Sequence, residues 1–227
     1  MKRLSFLILI FAILLTTVSC TDGNGGISAE NAGLEGPSDP AVSLDGCHTD
    51  TFPVACEETD YVQFTMVGGA TFVVQLMSDY APLTVQNFKD LVSSGFYNGL
   101  TFHRIVEGSM IQGGDPNGNG TGSAEDRIQG EFALNGYTQN TLKHERGVLS
   151  MVRSGSNDSA SCQFCILLDD KPAMDGVFAA FGRVVVGMET IDAISALEVT
   201  SQPLSGELTR PKKAPVIESA VFVEYGT

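Results

Sequence analysis

Tryptophan is absent from the 227 residues, and Lys plus Arg number only 13 against 27 Asp plus Glu, a formal charge of −14. A nucleic-acid partner would have to overcome general repulsion through a local basic patch, and no cluster of Lys and Arg supplies one. Nothing repeats along the chain, so one core is expected rather than an array. Long apolar runs are also missing, apart from Leu4 to Leu15, broken only by Ser5. That run is shorter than the ~20 residues a spanning helix needs, which argues against a permanent transmembrane anchor. What is present is glycine, 25 residues with many at apparent turns, and a hydrophobic fraction of 43%. Together they suit one loop-rich β domain with appendages.

Lys2 and Arg3 ahead of the apolar run, and small or polar residues up to Cys20, form an export signal over 1–20. "TVSC" at 17–20 resembles the lipobox of bacterial lipoproteins, in which cleavage precedes a cysteine that then carries lipid. Ser19 and Cys20 match it; Thr17 stands where that family usually has Leu. The alternative is an ordinary signal cleaved nearby, with Cys20 incidental. Either way the mature protein is expected outside the cytoplasm, as a membrane-anchored envelope lipoprotein or a secreted protein. Residues 21–57 read as a flexible tether followed by a Cys-containing lead-in, because the Gly, Asp, Asn, Ser and Pro up to about 46 cannot bury enough apolar surface to offset their ordering entropy. The domain proper is expected over 58–227.

Four further cysteines remain, an even number in an exported chain, where disulfides are permitted. Cys162 and Cys165 lie in "SCQFCILL", which reads as a buried strand. Their Cα atoms would be roughly 10 Å apart, beyond the ~7 Å reach of a bridge. A Cys47–Cys56 disulfide with two buried thiols is the simplest arrangement, and cross-pairing between the two regions stays open. A metal site of Cys47, His48 and Cys56 fits no compact zinc spacing, so no metal is expected.

From Tyr61 the pattern becomes regular. "YVQFTMV" and "ATFVVQLM" flank Gly68-Gly69 as a hairpin, and Val85, Phe88, Leu91 and Val92 recur at helical spacing between Pro82 and Gly95. Strands are expected around "GVLSMVR", "QFCILL", "FAAFGRVV" and "VIESAVFVEY", with a second short helix at "METIDAIS". The fold class is therefore mainly β, a closed eight-stranded antiparallel barrel capped by two helices.

Within this frame "FHRIVEGSMIQGGD", residues 102–115, places Arg104 and Gln112 among Phe102, Ile105, Val106, Met110 and Ile111. Alternation sets Phe102, Arg104 and Val106 on one face of the first strand, and Met110 with Gln112 on one face of the return strand. A hairpin would then gather a fixed cation, an amide and a soft apolar side chain on one surface.

"FHRIVEGSMIQGGDP", "NGTG", "LKHERGVLSM", "SASCQFCI" and "MDGVFAAFGRVVVGME" resemble, in order and near-family spacing, the cyclophilin family of peptidyl-prolyl cis-trans isomerases from about Tyr61 to Tyr225. The resemblance implies the barrel with two helices and a reaction at X-Pro bonds. The peptide C–N bond has a rotation barrier of ~18–20 kcal/mol, and uncatalysed X-Pro exchange takes tens to hundreds of seconds. As the bond twists, the prolyl nitrogen loses conjugation and its lone pair becomes basic. A donor aimed at it binds the twisted state more strongly than the planar one. Arg104 matches the family's catalytic arginine, a planar fork that stays charged. Gln112 matches the glutamine that orients it and hydrogen-bonds the substrate backbone. No cofactor, metal or proton transfer is needed.

The same resemblance assigns substrate contacts to Phe102, Ser109, Met110, Val152, Arg153, Ser154, Gln163, Cys165, Met174 and Phe178. Several depart from the pattern. An aromatic residue is replaced by Ser109, the second phenylalanine of "QFF" by Cys165, a leucine by Met174, and an aromatic or His by Ala173; Phe178 stands where His or Tyr is common. Arg153 replaces an asparagine of eukaryotic members. A wider, shallower proline seat follows, since each lost ring forfeits ~1–3 kcal/mol of apolar contact. His103 and His144 read as structural, and His48 lies outside the barrel, so no His-based dyad is evident. The expected partners are proline-containing segments of exported proteins, with the chain a monomer, held at a membrane only if Cys20 is lipidated. The competing expectation is a non-catalytic peptide-binding or chaperone module with an eroded pocket. A redox role for Cys165 lacks an activating neighbour. With the family's tryptophan absent, weak binding of cyclosporin-like ligands is expected.

Overall fold

Gly68 and Gly69 hold positive φ, 106° and 87°, which side chains resist, and so turn β1 (Tyr61–Met66) back onto β2 (Thr71–Leu76). The register pairs Phe64 with Phe72, whose rings stack with centroids 4.8 Å apart. This computed structural model describes residues 42–44 and 46–226, within the unit Pro40–Thr227. The expected signal segment, Cys20 and the part of the expected tether through residue 41 lie outside the described residues.

Pro82 opens α1 (Pro82–Ser93), but Ala81 at its N-cap has no side chain to accept from the first N–H groups. Glu131, 1% exposed, does so from a distant loop. Its carboxylate accepts from Leu83 N–H at 3.0 Å, Thr84 N–H at 2.8 Å and the Thr84 hydroxyl at 2.7 Å. A negative charge at that helix end also complements the dipole. Val85, Phe88 and Val92 bury the helical stripe expected from their spacing.

The chain continues through β3 (Arg104–Val106), β4 (Met110–Gly113), β5 (Val148–Met151), β6 (Phe164–Leu167), β7 (Ala180–Val186), α2 (Met188–Ser195), β8 (Val199–Ser201), β9 (Leu208–Pro211) and β10 (Ile217–Phe222). The main sheet is eight-stranded in the order β10-β1-β2-β7-β5-β6-β4-β3, antiparallel throughout. The eight strands and two α-helices match the expectation; closure does not. The terminal strands β3 and β10 do not pair, and only the Thr101–Val216 bridge and a few backbone bonds such as Phe102 N–H to Pro215 C=O cross the gap. β3 is three residues long and Pro215 has no N–H to give, so a regular ladder cannot form there. The barrel is thus half open rather than closed. The separate β8–β9 pair was not foreseen, because "VTSQPLSGELTRP" is polar, carries two prolines and shows no period.

The core is aromatic: Phe64, Phe72, Phe88, Tyr97, Phe102, Phe164 and Phe181 are all fully buried. Phe88 meets Phe164 edge-on at 5.5 Å and Phe181 at 5.1 Å, locking α1 to the sheet. Residues 48–55 run beside the sheet, with Thr71 N–H donating to His48 C=O and Val54 bridging to Val223. Cys47 packs half-buried against the core and Cys56 is exposed. Cys162 and Cys165 are buried free thiols, Cys162 lying just ahead of β6.

Candidate active site

The turn at Glu107-Gly108-Ser109 folds β3 onto β4 in the register Arg104–Gln112, Ile105–Ile111 and Val106–Met110. Arg104, Met110 and Gln112 therefore share the outward surface, as alternation required, while Ile105 and Ile111 enter the core. Gly114 follows at φ 80°, and a Cβ there would stand 2.5 Å from Cys162 C=O, so only glycine lets the two segments approach. Phe102 departs from the expected face. Regular pairing starts only at Arg104, and Phe102 turns inward against Phe72 and Phe164, fully buried, so it supports the site from beneath rather than lining it.

A directed polar chain fixes the guanidinium. Arg104 Nη1 donates to Gln112 Oε1 at 3.3 Å, a long bond, and Gln112 Nε2 donates to Gln163 Oε1 at 2.8 Å. Gln163 Nε2 in turn donates to Gly122 C=O at 2.8 Å and Gly120 C=O at 3.3 Å. Gln112 and Gln163 are only 7% and 8% exposed, so each amide has one sensible orientation. On its other side, Arg104 Nη2 donates to Glu207 Oε2 at 3.0 Å, a partner 103 residues away that no local pattern could reveal.

Beside Arg104 lies a cavity of about 300 Å³, lined by Ser109, Met110, Gln112, Met151, Val152, Arg153, Cys165, Leu167, Met174 and Phe178. Of the expected contacts, it brings together all but Phe102, Ser154 and Gln163. Those last two line a neighbouring cavity of about 180 Å³ that shares Val152 and Arg153. Met151 and Leu167 were missed: Leu167 stands two residues from Cys165 on β6, so alternation pointed to it, whereas Met151 ends β5 in phase with the core residue Leu149 and no alternation marked it. Ala173 is exposed and does not line the cavity.

The Arg153 guanidinium lies between two rings, 4.7 Å from the Phe178 centroid and 5.2 Å from that of Phe132. Its Nη groups donate to Ser154 C=O and Val177 C=O. Arg153 thus forms a flat, fixed wall rather than a mobile surface cation. Cys165, paired with Gln112 across the ladder, sits below the cavity floor with its thiol near Ser150 C=O at 3.6 Å. Burial pushes that thiol up to about 12, so it stays protonated and apolar in character.

His144 behaves as a structural group. His144 is 2% exposed; its Nδ1 lies 3.1 Å from Asp175 and its Nε2 2.9 Å from the Ser150 hydroxyl. Burial lowers its pKa against the opposing pull of Asp175. This clasp holds the Asp175-Gly176 turn that carries Met174. Burial likewise lowers the pKa of His103, 2% exposed beneath the Arg104 strand.

The sequence model of the cyclophilin-type peptidyl-prolyl cis-trans isomerases matches residues 61–221. The chain belongs to this family. It is 38% identical over 161 residues to peptidyl-prolyl cis-trans isomerase-like 1 of Aspergillus fumigatus, covering 70% of this chain and 96% of that one. It is 40% identical over 126 residues to peptidyl-prolyl cis-trans isomerase B of Bacillus subtilis, covering 56% and 84%. Among solved structures, a cyclophilin-type isomerase of Cryptosporidium parvum, crystallised in the presence of the dipeptide Ala-Pro, superposes with a TM-score of 0.62 at 27% identity, covering 72% of this chain and 99% of that one. Cyclophilin membership gives the enzyme class, peptidyl-prolyl cis-trans isomerase.

Proposed function

We propose that this cyclophilin isomerises X-Pro bonds in exported proteins, with Arg104 donating to the prolyl nitrogen as the bond twists. The observation that carries this is the placement of Arg104, held by Gln112 on one side, at the rim of an apolar cavity of about 300 Å³. The proline ring has no N–H and suits a wall of Met110, Met151, Leu167, Met174 and Phe178. The guanidinium stays charged throughout. As the C–N bond rotates, the nitrogen gains a lone pair that the fork can meet; in the planar ground state that acceptor is missing, so the stabilisation is specific to the transition state. Gln112, ordered by Gln163, is free to hydrogen-bond the substrate backbone. Val152 and Arg153, on the far wall, would receive the residue before proline.

Exchange NMR on a short Ala-Pro peptide tests this with the wild type and Arg104→Ala. Enhanced exchange that falls by about 10² in the variant supports the assignment, the size expected for one fixed donor to developing charge. An unchanged rate in Arg104→Ala would sink it.

The non-catalytic reading rested on Ser109 and Cys165. It is weakened by Met151 and Leu167 lining the cavity and by Arg153 stacked on Phe178, which supply apolar and planar surface where rings are missing. We further propose export through residues 1–20 and lipidation at Cys20, with proline-containing segments of exported proteins as partners. Incorporation of labelled fatty acid that is lost in Cys20→Ser would support the anchor, and equal labelling would refute it. A Cys47–Cys56 disulfide is proposed with it, to be read from peptide masses with and without reductant.

A further inference from the structure

Arg104 has a second anchor that the family resemblance did not assign. Glu207 lies in the turn between β8 and β9, and its Oε2 accepts from Arg104 Nη2 at 3.0 Å, opposite the Nη1 bond to Gln112 Oε1 at 3.3 Å. The two acceptors grip different terminal nitrogens of one planar group, so together they fix its rotation about the Nε–Cζ axis as well as its position.

The turn itself is tied to the strand it serves. Gln202, 8% exposed, donates from Nε2 to His103 C=O at 3.2 Å, the residue immediately before Arg104. Gln202 N–H donates to Glu207 C=O at 2.7 Å, and Gly206 N–H to Gln202 C=O at 2.9 Å. Glu207 is therefore carried on a short loop clamped to the start of β3, and its reach to Arg104 does not depend on a long flexible path. His103, Arg104, Gln112, Gln202 and Glu207 share the wall of a cavity of about 270 Å³ on the side of Arg104 away from the proline seat. The Glu207 side chain is 52% exposed and that of Arg104 27%, a degree of exposure at which an ion pair adds little to stability. Its consequence lies in orientation instead.

We propose that Glu207 is a positioning residue for catalysis, holding the Arg104 guanidinium in the plane from which it meets the twisted prolyl nitrogen. This rests on Arg104 being the catalytic donor. Without Glu207 the fork keeps its charge and its weaker, longer bond to Gln112, but samples orientations that miss the nitrogen. Ground-state peptide binding, dominated by the apolar seat, is left alone.

The test is a double-mutant cycle on an Ala-Pro peptide with the full domain: wild type, Glu207→Ala, Arg104→Ala and the double variant, with Glu207→Asp and Glu207→Gln as conservative replacements. Glu207→Ala should lower kcat roughly three- to fivefold, the range open to one exposed charge pair, with KM unchanged. Glu207→Gln, which keeps an acceptor oxygen, should recover part of the loss. In the Arg104→Ala background, Glu207→Ala should have no further effect. The guanidinium Nη resonances of Arg104 should be resolved in the wild type and merge by fast rotation in Glu207→Ala. Equal kcat in wild type and Glu207→Ala, a rise in kcat, or an additive loss in the Arg104→Ala background overturns the proposal. If Arg104→Ala itself retains full activity, the catalytic assignment fails first and this one with it; loss in Arg104→Ala with none in Glu207→Ala sinks only the positioning role.

Discussion

Replacing Cys165 by Phe probes the floor of the proposed proline seat. Cys165 is 3% exposed on β6, its partners Gln112 on β4 and Ser150 on β5, and its upper surface borders the cavity of about 300 Å³. The side chain packs with Val148, Leu167 and Ala180, and with partly buried Met110, Val152 and Met174. A phenyl ring at this position can grow only upward, into the cavity, because strands fix it on either side. Burying a proline ring against a new aromatic face gains ~1–3 kcal/mol in full. Since part of the ring would be used against Met110 and Met174, the lower end applies. Peptide affinity should then tighten by roughly 5- to 10-fold, at 1.4 kcal/mol per factor of ten. The gain is uniform between planar and twisted states, so KM falls and kcat holds. Forcing the ring into packed surroundings costs the fold ~1–3 kcal/mol, visible as a lower Tm. Peptide titration by NMR alongside exchange measurements reads both quantities. A folded Cys165→Phe with unchanged affinity would refute the account of the seat as a proline site short of a ring.

Other outcomes follow from the same geometry. Glu131→Ala leaves the first N–H groups of α1 unmet and should cost ~2 kcal/mol of stability in chemical denaturation, with peptide affinity at the site preserved; a loss below a few tenths would contradict its role as a distant cap. Gln163→Leu breaks the chain that orients Gln112 and should reduce kcat several-fold, with ~1–3 kcal/mol of stability lost because buried Gln112 Nε2 is left unmet, whereas an unchanged kcat in the folded variant would show that Arg104 does not need it. Stability should fall as the pH drops below about 6.5, because burial depresses the His144 pKa in the folded state and the unfolded chain takes up that proton first. Burial tends to raise the Asp175 pKa, but hydrogen bonds from the His144 N–H, Lys143 and the His144 ring outweigh it and hold it below the ordinary value, so a second loss follows at lower pH as that carboxylate is protonated. A flat stability profile from pH 7 to pH 5 would contradict the His144 clasp. Cyclosporin should bind weakly, since Ala173 is exposed and offers no ring; affinity like that of a sensitive member would refute this.

The elements that were legible in the sequence are those whose side chains report their surroundings locally. The β-branched and aromatic residues of "YVQFTMV" and "ATFVVQLM" around Gly68-Gly69 mark two strands buried along most of their length, and the helical spacing of Val85, Phe88 and Val92 records one buried face of α1. The Arg104–Gln112 juxtaposition was legible for the same reason, because a three-residue turn leaves one register. Phe102 misled because alternation was extended two residues beyond the strand that enforces it. Barrel closure misled because it depends on how Thr101 and Val216 meet across the sheet, a pairing between distant segments interrupted by Pro215. The β8–β9 hairpin exposes Leu208 and buries Thr209 and Pro211, so its alternation runs against side-chain polarity and its sequence looks like loop; Glu207 reaches Arg104 only through it.

The central claim is that Arg104 binds the twisted prolyl bond better than the planar one. Measuring the bound-state cis–trans exchange rate and the peptide Kd together, in wild type and Arg104→Ala, separates the two states directly. The exchange rate should be lower by about 10² in the variant, with Kd changed less than about threefold. A variant that binds peptide far more weakly yet exchanges it, once bound, at the wild-type rate would contradict it.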